Sequence, residues 1–154
     1  LLLGKEFGLD LATILLVVIV VKATQMLVSK RIGRFIDERP IRLQMGIGYL
    51  IGISATTLLL FPSLTAYLIS FLMFGVHELI MLIAIRSYIG KYAEDKGSAY
   101  GFLYFAIALF SAASAYLIGL TWQHFGATYA IITSCAGMLT AGLVFFKFRA
   151  FDSK

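Results

Sequence analysis

The sequence predicts an all-α fold, a polytopic membrane bundle of five transmembrane helices, and three observations carry that reading. Of the 154 residues, 60% are hydrophobic and only 14% charged, where a soluble domain usually carries about a quarter charged residues. The apolar residues come in runs of about 18 to 25 without the alternation of a strand, the length needed to cross a bilayer as a helix. These runs are apolar on every side, unlike the helices of a water-soluble bundle. Mean hydropathy is +0.93.

The net charge of +5 is not spread as a nucleic-acid surface would be. Lys30, Arg31, Arg34, Arg39 and Arg42 lie together after the first apolar run, Arg86, Lys91 and Lys96 after the third, and Lys147, Arg149 and Lys154 in the tail. A concentration of basic residues in alternate loops is a topology signal. It places the N-terminus outside and the C-terminus in the cytoplasm, in a cell or inner membrane. No nucleic-acid partner is expected; the lipid bilayer is.

One transmembrane domain over residues 1–154 accounts for the pattern, with spans at about 11–29, 43–61, 64–88, 99–122 and 127–146. The opening Leu1-Leu2-Leu3 reads as the last turn of a preceding helix, and the chain as a piece of a longer protein. Asp10 is a plausible N-cap for the first span. The loop Lys30–Leu43 follows, the densest concentration of charge in the chain. The second span contains Gly48-x-x-x-Gly52, with Gly46 and Ser54 nearby, and small residues four apart let helix backbones approach closely in lipid. Pro62 sits in a tight uncharged turn before the third span, where its fixed backbone favours a helix start. The fourth span carries Ser111, Ala115 and Gly119, a second small-residue stripe. Trp122 closes it as an interfacial anchor.

The loop after the first span resembles the signature loop of the major facilitator superfamily. Gly33 and Asp37 stand at the family's spacing, and Arg42 matches its closing basic residue, with Arg39 between. Pro40 stands where the family usually has glycine, and Glu38 replaces a common arginine. The alternation of short outer turns and charged inner loops is similar to the family over essentially the whole chain. The short basic tail, and the absence of a Gly-Pro element from the fourth span, match helices eight to twelve of the second half better than helices two to six of the first. The resemblance implies secondary transport of a small solute by alternating access, proton- or ion-coupled as symport or antiport, with the missing half of the transporter as partner. It also implies a pairing of Asp37 with Arg86; the bland reading is that both are solvated and only set topology.

Glu78 is the first candidate for chemistry. Fourteen residues into the third span, it lies about 21 Å along the helix, near mid-membrane. A carboxylate at that depth is costly and faces a cavity or a partner. A desolvated carboxyl takes up its proton nearer neutral pH, which suits a coupling role; the alternative is a structural carboxylate that holds helices together. Lys22 is similarly deep. Its readings are an ion pair with Glu78 or snorkelling of its stem toward the cytoplasmic face. Gln25 lies one turn further on the same face. His77 points about 100° away from Glu78 on the helix, and is read either as a titrating group or as a hydrogen-bonded core histidine. The substrate and proton-coupling candidates are therefore Glu78, His77, Lys22 and Gln25. Cys135 is the single cysteine, and no His-Glu-x-x-His pattern occurs, so no metal or cofactor is expected. No nucleophile elbow or phosphate loop supports an enzyme. The rival to a transporter is a scaffold or receptor whose polar residues only glue helices.

Overall fold

The computed structural model describes residues 10–37 and 39–147, with only the backbone of Ile14 and Asp37. Among these residues it is all-helical. Five helices follow one another: α1 (Leu11–Asp37), α2 (Ile41–Leu58), α3 (Leu64–Tyr92), α4 (Lys96–Phe125) and α5 (Ala127–Lys147). Four of them, all but α2, are long and apolar enough to cross a membrane. The 18 residues of α2 include Arg42, Gln44 and three glycines, and at 1.5 Å per residue they cover about 27 Å. The chain is thus a membrane protein by its four long apolar helices, with α2 as a shorter and more polar fifth.

The helices overrun the apolar spans. α1 continues through Lys30, Arg31 and Arg34 to Asp37, and α2 starts at Ile41, so most of the expected Lys30–Leu43 loop is helix. Lys and Arg are good helix formers, and nothing stops the helix until the residues before Pro40, which disfavours helical backbone ahead of it. α3 likewise runs on to Tyr92 and α4 starts at Lys96. The second helix instead stops at Leu58, short of the expected end near 61, and the chain turns through Leu59 and Leu60. Leu1–Leu3, Lys5, Arg149 and Lys154 lie outside the described residues.

The caps follow the sequence. Asp10 accepts the Thr13 amide at 3.0 Å, and Ser63 accepts the Ala66 amide at 3.1 Å, just after Pro62. Asp95 accepts the Ser98 hydroxyl at 2.6 Å and its amide at 3.2 Å. Gly126 ends α4 with φ of 89°, a conformation open to glycine and strained for other residues. Its amide closes on the Trp122 carbonyl at 2.9 Å.

The core lies between α2 and its neighbours. α3 packs against both α2 and α1 and only lightly against α4, while α5 packs against α2 and α4. The glycines of α2 make this possible. A Cβ on Gly48 would lie 2.8 Å from Met81 Sδ, and one on Gly52 would lie 2.9 Å from His77 Nδ1, both on α3. A Cβ on Gly46 would meet the Phe146 ring of α5 at 2.7 Å. Ala55, Ser70 and Ala84 are fully buried, and the Ser70 hydroxyl donates to the Ala55 carbonyl at 2.7 Å, tying α3 to α2. The Ser111, Ala115 and Gly119 stripe behaves differently. No described residue of α4 is buried, and the space beside Gly119 is open.

Replacing Gly52 by Leu should therefore cost about 1–3 kcal/mol, the price of overpacking a tight core. Gly119→Ala should be neutral or stabilising by up to about 1 kcal/mol, as an open helical glycine gains from a methyl. Denaturant unfolding in detergent micelles checks both, and equal losses at the two positions would remove the distinction. The hydrogen bonds from Ser98, hydroxyl first and then amide, hold the Asp95 carboxyl below its ordinary value of 3.8. A depressed carboxyl stabilises above its unfolded value and loses that contribution as pH falls through the lower folded value. Protection of the amides at the start of α4, taken relative to their intrinsic exchange rate at each pH, should accordingly be greater at pH 6 than near pH 3, and Asp95→Ala should abolish the difference.

Candidate functional site

Two stripes of helical spacing form the site. On α1, Val18, Val21 or Lys22, and Gln25 recur three and four residues apart, which puts them on one face. On α3 the same spacing joins Phe71, Phe74 or Gly75, and Glu78. α1 packs on α3 rather than on α2, because Gly75 lets it in: a Cβ there would lie 2.8 Å from Val21 Cγ1 and 3.3 Å from Gln25 Nε2. The groove between the stripes has a volume of about 320 Å³ and is apolar except at one end.

Lys22, Gln25 and Glu78 meet at that end. Lys22 Nζ stands 2.8 Å from Glu78 Oε2. Gln25 Nε2 donates to the same oxygen at 3.1 Å and to the Gly75 carbonyl at 2.7 Å, which commits both of its amide hydrogens. Among the described residues Glu78 Oε1 accepts no hydrogen bond. The side chains of Lys22 and Glu78 remain 56% and 60% exposed. Of the two readings of Lys22, this geometry has the ion pair. Its ammonium is turned sideways to α3, not along its stem toward the helix end.

His77 is placed as a core histidine. Its ring covers Gly52, and Nδ1 lies 2.7 Å from the Gly48 carbonyl of α2. A carbonyl oxygen only accepts, so Nδ1 carries the hydrogen. The 100° offset from Glu78 gives the two residues different partners: His77 serves α2 and Glu78 serves α1. The edge of the ring still reaches the groove.

The corner between α1 and α2 forms a second polar centre. Gln44, 6% exposed, donates from Nε2 to the carbonyls of Ile36 and Arg39, each at 2.6 Å. It thus occupies the Ile36 carbonyl, which has no intrahelical partner at the end of α1, and the Arg39 carbonyl of the corner. Arg39 lies over the Phe35 ring, 4.0 Å from its centroid. Gly33 has open space around it, so packing does not demand a glycine there. Arg42 lies in the first turn of α2. The Asp37 side chain lies outside the described residues, and with it the expected contact to Arg86. Arg86 itself donates to the Tyr104 hydroxyl, and the Tyr100 hydroxyl donates to the Arg86 carbonyl at 3.1 Å, joining α3 to α4.

Sequence reasoning missed Gln44 and Ser70, whose partners are backbone carbonyls; a lone polar residue in an apolar run was the available signal for each. Among the described residues no cluster of His, Cys, Asp and Glu is arranged to hold a metal. Comparison with protein-family models, with curated proteins and with solved structures finds no match for this chain.

Breaking the ion pair from one side strands a charge at the level of the apolar groove, whereas removing both partners strands none. Lys22→Met and Glu78→Gln should each lower the unfolding midpoint, and the double variant should recover part of the loss. The expected coupling is about 0.5–1 kcal/mol, since both side chains are more than half exposed. Strictly additive losses in a double-mutant cycle would show that the pair contributes nothing to stability.

Proposed function

We propose that this chain forms part of the wall of a secondary transporter, which moves a small solute across a membrane by alternating access. The observation that carries the reading is the exposed Lys22–Glu78 pair with Gln25, midway along two apolar helices. An ion pair at that depth that faced lipid would cost several kcal/mol, so its face is turned to water or to protein. An open polar face at mid-depth is where transporters bind solute and coupling ions.

The likeness of Gly33, Asp37 and Arg42 to the major facilitator signature supports that architecture, and the lack of a Gly-Pro element in α4 supports helices eight to twelve of it, with the other half supplying the facing wall. Basic residues in the last turns of α1, α3 and α5, namely Arg34, Lys91 and Lys147, support a cytoplasmic C-terminus, since all three turns fall on one side if the helices alternate. In this reading Glu78 exchanges Lys22 for a proton or cation during the cycle, and His77 sets the spacing of α2 and α3 without carrying the ion. The scaffold alternative draws on one observation: Gln25 binds a backbone carbonyl of α3 as well as Glu78, as a pure helix fastener would.

The test is proton-driven uptake by the full-length protein in proteoliposomes, over a panel of labelled amino acids, sugars, nucleosides and organic anions. Accumulation of one class that Glu78→Gln reduces at least about tenfold, with solute exchange retained, is expected for a coupling carboxylate. A folded protein that moves no member of the panel, with or without a gradient, would favour the scaffold.

A further inference from the structure

We propose that the groove between α1 and α3 binds a small zwitterionic solute that carries one apolar group, of the chemistry of an apolar α-amino acid. The inference rests on the transport reading for its biological meaning, but its evidence is the charge and shape of the groove. A Lys ammonium has three donors, and Lys22 places one on Glu78 Oε2. Glu78 keeps Oε1 open among the described residues, and Gln25 has already committed both amide hydrogens. The end of the groove therefore presents a cation and an anion side by side, each with unused hydrogen-bonding capacity and each more than half exposed.

A solute with only a carboxylate would gain Lys22 and meet repulsion from Glu78. One with only an ammonium would meet the converse. A zwitterion satisfies both, laying its carboxylate on Lys22 and its ammonium on Glu78, and it leaves the site as neutral as before. No uncompensated charge is then carried into the apolar groove, where it would be expensive.

The rest of the groove selects the third group. Val18, Val21, Phe71 and Phe74 line it, on the turns of α1 and α3 that precede Lys22 and Glu78. A side group that points along the groove from the charged end thus meets aliphatic and aromatic surface. The volume of about 320 Å³ is at the low end of ligand pockets, which suits a solute of single-amino-acid size and excludes a long chain.

Binding of L-phenylalanine to the full-length protein in lipid nanodiscs, measured by calorimetry, tests the assignment. Phenylalanine amide, which lacks the carboxylate, N-acetylphenylalanine, which lacks the ammonium, and alanine, which lacks the apolar group, are the comparisons. Each is expected to bind at least about tenfold more weakly than phenylalanine, the worth of one charge-assisted hydrogen bond or a comparable apolar contact. In Lys22→Met the preference over the amide should vanish while that over the N-acetyl compound persists, and Glu78→Gln should do the reverse. The ligand series on the unaltered protein decides the matter even if a variant fails to fold. Equal binding of the four compounds, or none, overturns the assignment. Proton-driven uptake of another solute class without phenylalanine binding overturns it too, and leaves the transport reading standing. Selective binding without any uptake supports the site and removes the transport reading.

Discussion

The close approach of α2 to α3 is the constraint on which the rest depends. Between helices surrounded by lipid there is no hydrophobic drive to associate, so packing and hydrogen bonding hold them. Gly48 and Gly52 remove the side chains that would keep the backbones apart, and Met81 and His77 fill the space. His77 and Ser70 then each bond a carbonyl of α2. With α3 fixed in this way, the stripe from Phe71 to Glu78, about 100° around the helix, is available to α1. Glu78 meets Lys22 there while His77, one residue earlier, stays on α2.

The two neighbouring ionisable residues on α3 thus divide their work by angle. His77 makes a short contact with a backbone it cannot leave without opening the core. Glu78 faces a groove, with half its carboxylate uncommitted. The residue fixed to α2 and the residue with an open carboxylate oxygen are one position apart. A change of partner at Glu78 would leave the α2–α3 contacts of His77 and Ser70 untouched.

Much of this was legible in the sequence, for identifiable reasons. Run length and the lack of alternation give five helices, charge density marks the corners after α1 and α3, and Pro62 and Gly126 mark the other two. Lys22 and Glu78 stand out because a charge at mid-depth is costly enough to need a partner, and two such charges at similar depths suggest each other; Gln25 stands out only as the polar residue one turn on from Lys22. Helix ends were less legible. Hydropathy marks where the apolar region stops, whereas Lys30, Arg31 and Arg34 continue a helix as readily as leucine does. Gln44 and Ser70 escaped because a backbone carbonyl has no sequence signature. The small residues of α4 show the complementary limit: a spacing of four marks a surface suited to close approach without naming the helix that comes to it, and in the described residues none does.

The composition of α2 has a consequence for how the chain enters a membrane. The other four helices each hold a stretch long and apolar enough to cross a bilayer, whereas α2 starts with Arg42 and Gln44 and is diluted by glycine. Charged and polar residues add to the cost of partitioning a helix. Its stability in the bilayer comes from surfaces synthesised after it: first α3, which covers Gly48 and Gly52, and much later Phe146 of α5, which covers Gly46. The segment therefore waits on residues still to be translated, and its glycine face is not fully covered until α5, three helices later in the chain, has been made.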